Sequence, residues 1–246
     1  MRIWLLARRE FGGLFATPFA WLVLAGFQFV TAWIFLGQLD GYLQLQPRLG
    51  ALPSAPGVTD LVVAPLLGSA AGILLFVTPL LTMQAVSGER QRGSLELLLA
   101  APLARHEIVL GKYLGLLLFT GLLLAMLAAM PLSLLAGGPL DAGKLAAGMV
   151  GLLLLSAASV AVGLLASTLT RSPAMAAFGG FALLLLLWLI DSGGATGGLL
   201  GELSLARQLQ PFLSGMVSTV GITYFLLLTA VALALCIYRL ETERLA

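Results

Sequence analysis

Six long runs without a charged residue constrain the fold of this chain more than any other feature of its sequence. A helix that crosses a bilayer needs roughly 20 mostly apolar residues, and each run is close to that length or longer. We therefore predict six transmembrane helices, of which the last two are the shortest. They lie at about residues 18–37, 61–86, 113–135, 145–168, 174–190 and 222–238.

The composition agrees with a membrane protein built from helices. The chain is 60% hydrophobic and 10% charged, whereas soluble domains are about 45–50% apolar and 25% charged. The runs are rich in leucine and alanine and exceed the ~10 residues of a barrel strand. Residues 1–246 are predicted to form one all-α membrane domain. The net charge of +2 is too small and too scattered to suggest nucleic-acid binding.

The distribution of lysine and arginine predicts the orientation, because cytoplasmic loops carry an excess of both. If the N-terminus is cytoplasmic, ten basic residues fall on the cytoplasmic side and three on the opposite side. Both termini are therefore expected in the cytoplasm. The first span is longer than the 7–15-residue core of a signal peptide, so it is expected to remain as an anchor. The three outer residues are Arg48, Lys144 and Arg207.

Residues 1–17 are predicted to form an amphipathic helix in the cytoplasmic membrane interface. Its apolar residues recur at helical spacing, while Arg2 and Arg9 fall on the opposite face. Two roles remain open for it: a membrane anchor, or a contact surface for a cytoplasmic partner. The apolar face consists of Ile3, Ala7, Phe11 and Leu14, flanked by Trp4 and Phe15.

Two longer connections are expected on the outer side. Residues 38–60 are rich in Gly, Pro and Gln and predict an irregular loop. Residues 203–220 show a helical pattern and predict a short helix, broken or bent at Pro211. This segment could be re-entrant or could cap the bundle, and the sequence leaves both open. Its predicted face consists of Leu205, Leu209, Phe212 and Met216, widened by Leu213, Val217 and Val220.

The spans lack the groups that most membrane chemistry requires. Ion-coupled transporters place ionisable residues inside the bilayer, and these spans contain no charged residue. The only histidine, His106, lies in a loop, which disfavours intramembrane hydrolysis. Lys144 ends a partial Walker A pattern, but Leu145 replaces its Ser or Thr. We therefore expect no catalytic, cofactor or metal site in this chain.

Small residues recur at four-residue spacing in the fourth span, as Ala157 with Ala161 and Ser159 with Gly163. Such pairs let two helices approach closely. They indicate packing within one chain or, alternatively, a seam between two copies.

The loop between the second and third spans, residues 87–112, has the densest charge and clear helix signals. Gly93 can end one helix and Ser94 can cap the next, which must end near Ala101 because Pro102 restricts the residue before it. The predicted helix carries leucines on one face, and such a helix suits a groove on another protein. The alternative is a basic loop with incidental leucines. The apolar face consists of Leu95, Leu98 and Leu99, with Glu96 turned away.

The run from Gly88 to Lys112 resembles the signature of ABC-2 type transporter permeases. The resemblance rests on the Glu-Arg-Gln-Arg-Gly-Ser-Leu-Glu-Leu-Leu-Leu core, on Pro102, and on the Ile-Val-Leu-Gly-Lys-Tyr exit that begins at Ile108. Within that family the run is most similar to the gliding-motility-associated group, with the nitrous-oxide-reductase maturation permease close by. The six-span plan, the amphipathic start and the outer helical segment match the family over essentially the whole chain.

The resemblance implies a permease subunit of a type V, ABC-2 exporter in the bacterial inner membrane. Two permease chains, alike or different, would sit on two separate cytoplasmic ATPase subunits that bind ATP and Mg. The segment from Ser94 to Ala101 would be a coupling helix that contacts the ATPase, and the transported substrate stays open. The residues implied in coupling are Glu89, Arg90, Arg92, Gly93, Ser94, Leu95, Glu96, Leu98, Leu99 and Pro102.

A membrane scaffold or assembly factor that transports nothing is the alternative function. A neighbouring gene for an ATPase of ordinary ABC size would favour the exporter over the scaffold. So would a change in ATP hydrolysis when the two proteins are reconstituted together.

Labelling of single cysteines in intact cells tests the predicted orientation. Cysteines at Arg48, Asp141 and Glu202 should react with a membrane-impermeant thiol reagent, and cysteines at Gln91 and Arg171 should not. Reaction of the cysteine at Gln91 from outside would contradict the predicted orientation. The loop at residues 87–112 would then not be cytoplasmic.

Overall fold

The computed structural model describes residues 2–49, 57–91, 93, 104–134, 140–190 and 201–242. Helices dominate these residues, with a π-helical turn at Thr59–Val63 and a 3-10 turn at Gly201–Leu203. No strand occurs in the described part of the chain. The α-helices are α1 (Arg2–Phe15), α2 (Pro18–Leu49), α3 (Ala64–Thr82), α4 (Ser87–Gln91), α5 (Arg105–Ser133), α6 (Ala142–Leu169), α7 (Pro173–Leu189), α8 (Leu205–Leu213) and α9 (Thr219–Thr242).

Several helices are long and apolar enough to cross a membrane, so the chain is a multi-pass, all-α membrane protein. Within the described residues, 5 helical stretches meet this condition, and α7 is apolar but shorter. The prediction of six spans is thus supported for five of them. The five are Pro18–Pro47, Thr59–Gln91, Arg105–Ser133, Ala142–Leu169 and Thr219–Thr242.

Helix α2 corrects the first part of the predicted loop at residues 38–60, of which residues 50–56 lie outside the described residues. The helix continues to Leu49, through Gly41 and Pro47. Glycine costs a helix only about 1 kcal/mol relative to alanine, and extending an existing helix is far easier than starting one. At ~1.5 Å per residue, the 32 residues of α2 span ~48 Å, against a hydrocarbon core of ~30 Å. Even a 40° tilt, the upper end of the usual range, leaves α2 longer than the core.

Helix α6 lies at the centre of the bundle and packs against α3, α5, α7, α8 and α9. Small side chains let its neighbours approach: Ser159 and Ala161 are fully buried. A Cβ atom at Gly163 would lie 3.0 Å from Thr82 Cβ on α3, and closer still to its Oγ1. Of the two explanations for the small-residue spacing, the structure therefore favours packing within one chain.

Helix α8 corrects the prediction for residues 203–220. The Ser204 Oγ accepts the Arg207 N–H at 3.3 Å and caps the helix, which continues through Pro211 to Leu213. It ends because Gly215 adopts a φ of +90°, the left-handed conformation that lets the Met216 N–H reach the Pro211 carbonyl at 2.9 Å. The Pro211 nitrogen has no hydrogen to donate to the carbonyl four residues earlier, and the helix ends two residues later.

The buried face of α8 includes Leu205, Leu209 and Phe212, as predicted, but not Met216, Val217 and Val220, which are 64%, 57% and 59% exposed. Phe212 packs against Gly151 of α6. Gly151 lies about 13 Å along the helix axis from Ala142, at ~1.5 Å per residue. Helix α8 therefore lies beside the first turns of α6 rather than across its end.

Replacing Gly163 by alanine should destabilise the protein, because the new methyl group collides with the Thr82 side chain. Overpacking of this kind typically costs about 1–3 kcal/mol, so thermal unfolding in detergent should show a lower Tm. Gly179→Ala on α7 is the matched control, because no atom lies within 4 Å of a Cβ there. Equal Tm values for the two variants would contradict the close contact of α3 and α6.

Candidate functional site

Helix α4 begins the charged segment between the second and third predicted spans. Of the ten residues implied in coupling, the structure places Glu89 and Arg90 in α4 and Gly93 just after it. Gly93 has a φ of +70°, and its N–H donates to the Arg90 carbonyl at 3.2 Å. The others lie outside the described residues, and so does the predicted coupling helix. These are Arg92, Ser94, Leu95, Glu96, Leu98, Leu99 and Pro102.

The first anchor of α4 is Ser167 on α6. Its Oγ accepts the N–H groups of Val86 and Ser87, at 3.1 and 3.0 Å, and donates to the Met83 carbonyl at 3.2 Å. The first N–H groups of a helix have no partner within it, and a serine hydroxyl can satisfy them. Here the serine comes from another helix, so the start of α4 is tied to α6.

The second anchor is Arg90, which binds the end of α6. Its guanidinium donates to the carbonyls of Thr168, at 3.3 Å, and Thr170, at 3.0 Å. The last carbonyls of a helix lack partners and carry a partial negative charge, so a cation there is favourable. Ser167 and Arg90 together join the two ends of α4 to the same end of α6.

The third anchor is a buried cluster of charges around Lys112 on α5. The Lys112 Nζ donates to Glu89 Oε1 at 2.6 Å and to Glu10 Oε1 at 2.9 Å. The Lys112 side chain is 2% exposed, whereas the carboxylates are about 30% exposed. A buried ammonium group is costly unless it is paired and hydrogen-bonded. The cluster therefore holds α1, α4 and α5 together at one point.

Two glycines of α5 bring α1 close enough for this cluster to form. A Cβ at Gly111 would lie 2.5 Å from Leu6 Cδ2, and one at Gly115 would lie 2.7 Å from Glu10 Cβ. Ala7 is fully buried. The predicted apolar face of α1 is thus correct at Ala7, and Phe11 and Leu14 are half-buried against the core, but Leu6 and Glu10 also face α5. This face of α1 therefore contacts α5 of the same chain. The two roles considered for α1, a membrane anchor or a contact surface for a cytoplasmic partner, stay predictions.

The contacts of α4 join it to three other helices at one end of the bundle. Across the described ranges, no three His, Cys, Asp or Glu side chains are grouped so as to hold a metal ion. The short helix α4 is bound on one side to α6 and on the other to α1 and α5. A force applied to the segment after α4 would therefore reach three helices of the bundle.

Sequence reasoning missed the partners of α4. Glu10 is the only acidic residue among residues 1–17, and an isolated carboxylate in a basic amphipathic segment was a usable signal for a buried cation. Lys112 lies in the predicted loop, and nothing in the sequence indicated that its side chain is buried. Ser167 carries no local signal, because it acts on a helix that lies 80 residues away in the chain.

Comparison with known proteins agrees with this architecture. The family described as ABC-2 family transporter protein matches residues 26–214, which is more than half of the chain. The chain belongs to this family. Its members are membrane components of transporters, are not catalytic themselves, and associate with an ABC ATPase. No curated protein matches the sequence significantly.

Replacing Lys112 by methionine keeps most of the side-chain volume and removes the cation between two carboxylates. Breaking a buried ion pair by removing one partner typically costs about 3–5 kcal/mol. The partial exposure of Glu10 and Glu89 puts the expected loss at the low end. Thermal unfolding in detergent should therefore show a clearly lower Tm.

The control combines Lys112→Met with Glu10→Gln and Glu89→Gln. This variant no longer holds two carboxylates without a cation between them, so much of the lost stability should return. A wild-type Tm for Lys112→Met alone would show that the cluster does not hold α1, α4 and α5 together.

Proposed function

We propose that this chain is the permease subunit of a bacterial ABC-2 exporter of the gliding-motility-associated type. ATP and Mg are bound by separate ABC ATPase subunits, and a second permease chain completes the pore. The observation that carries the proposal is the three-way anchoring of α4. This anchoring attaches α4, which begins the segment that would contact the ATPase, to α1, α5 and α6, the helices that would move.

The end of the bundle that contains Lys112 is the cytoplasmic end in this proposal. Described basic residues concentrate there, as expected for the cytoplasmic side, whereas Lys144 and Arg207 lie at the other end. Both termini are then cytoplasmic, and the protein lies in the inner membrane. The 17 residues of α7 are just long enough for the fifth of six spans. The basic residues at the Lys112 end include Arg8, Arg9, Arg90, Arg105, Arg171 and Arg239.

The segment from Ser94 to Ala101 is the coupling helix in this proposal. Its leucine face fills an apolar groove on the ATPase, and rearrangement of the ATPase on ATP binding displaces the helix. Glu89 and Arg90 have a different role, because their side chains form hydrogen bonds within the permease itself, to Lys112 and to the Thr170 carbonyl. They pass the displacement of the loop to α1, α5 and α6.

Leu98→Asp tests the leucine face. A carboxylate in an apolar contact costs several kcal/mol unless it finds a partner, so the tagged permease should no longer co-purify with its ABC ATPase. Glu96→Ala should weaken the complex only modestly, because exposed ion pairs contribute about 0.2–1 kcal/mol. The permease should also stimulate ATP hydrolysis by the ATPase in nanodiscs. This stimulation should fall more with Leu98→Asp than with Glu96→Ala.

Two controls separate loss of contact from loss of fold. Gln91 is exposed on α4, so Gln91→Ala should leave the complex intact. Glu107 lies beyond Pro102, and its carboxylate caps α5 by accepting the Ala104 N–H at 3.0 Å. Glu107→Gln keeps an acceptor there and should also leave the complex intact. Retention of the ATPase by Leu98→Asp at wild-type stoichiometry would refute the coupling helix.

A further inference from the structure

Helices α3 and α6 run side by side in the same direction with a constant register. Near the Lys144 end, a Cβ at Gly148 would lie 2.5 Å from Leu67 Cδ1. Further along, Gly163 meets Thr82. At the Lys112 end, Ser167 accepts the Val86 N–H, again 81 residues earlier in the chain. The two helices keep one alignment over their whole shared length.

Polar contacts also fix the two helices at the Lys144 end. The Asp141 N–H donates to Thr59 Oγ1 at 3.0 Å, and the Lys144 Nζ donates to Asp60 Oδ1 at 2.7 Å. Thr59 is 5% exposed. Together with Ser167 at the other end, these bonds, made by the π-helical turn that precedes α3, oppose sliding of α3 along α6.

Helix α8 is attached to the same pair. A Cβ at Gly151 of α6 would lie 2.6 Å from Phe212 Cβ, and one at Gly68 of α3 would lie 3.6 Å from Leu213 Cδ1. Just after α8, a Cβ at Gly215 would lie 2.6 Å from Lys144 Cγ. Close-packed contacts of this kind deform little.

We propose that α3, α6 and α8 form one rigid unit, which carries a displacement of α4 across the membrane to α8. Resting on the proposed function, this inference assigns α8 as the element of the Lys144 end that responds to the ATPase. Arg90 and Ser167 transmit the displacement into the unit. The Asp60–Lys144 bond keeps α3 and α6 aligned at the far end while the unit moves.

The test uses the permease bound to its ATPase in nanodiscs, with Cys236→Ala as background. An azide-bearing residue in place of Met216, exposed just after α8, reacts with a strained cyclooctyne. The rate of this reaction should change severalfold between the nucleotide-free and ATP-bound complexes. Cysteines at Asp60 and Lys144 are then joined by a short bifunctional thiosulfonate, with no reductant present at any later step. The reagent is needed because an Asp–Lys pair exceeds the ~3.5–4.5 Å between the Cβ atoms of a disulfide.

If α3, α6 and α8 move as one rigid unit, the cross-link should leave the nucleotide-dependent change at position 216 intact, because α3 and α6 do not move relative to each other. Arg90→Ala combined with Ser167→Ala should make the change several times smaller while the ATPase still co-purifies, because only the backbone between α3 and α4 then connects α4 to the unit. Loss of the change on cross-linking, or a change of wild-type size in the double variant, would overturn the inference. Failure of the unmodified permease to bind the ATPase would instead overturn the proposed function.

Discussion

The buried ammonium group of Lys112 is the interaction on which the arrangement of the Lys112 end depends. Lysine is almost never fully buried unless it is paired, and here both partners come from other helices. Glu10 requires α1 to lie along α5, and Glu89 requires α4 to turn towards α5. This close approach of α1 to α5 requires the glycines at 111 and 115, because a side chain at either position would hold α1 too far from α5 for Glu10 to reach Lys112.

Most of the fold follows from the charge-free runs, because a long apolar segment has few alternatives to a membrane helix. The ends of the helices do not follow in the same way. Helix α2 extends past its apolar run to Leu49, since a helix does not stop where hydrophobicity stops. Helix α8 passes Pro211 and ends at a glycine in the left-handed conformation. These ends depend on backbone bonding, which the apolar pattern does not record.

The candidate site was only partly predictable. Glu89 and Arg90 were found because they lie in a dense, recognisable run, but their contacts depend on the folded bundle. Lys112 and Glu10 are 102 residues apart in the chain, and no local pattern indicates such a pairing. The predicted coupling helix itself, residues 94–101, lies outside the described residues, so its contact with an ATPase stays a prediction.

The Lys112 cluster also sets an order of assembly during synthesis. Helix α1 leaves the ribosome before α4 and α5, which carry the two residues that complete its charge cluster. Until α5 is inserted, Glu10 has no ammonium partner, and the glycine surface that receives Leu6 and Ala7 does not yet exist. Docking of the first helix is therefore a late step in biogenesis, and it can take place only after the third predicted span has entered the membrane.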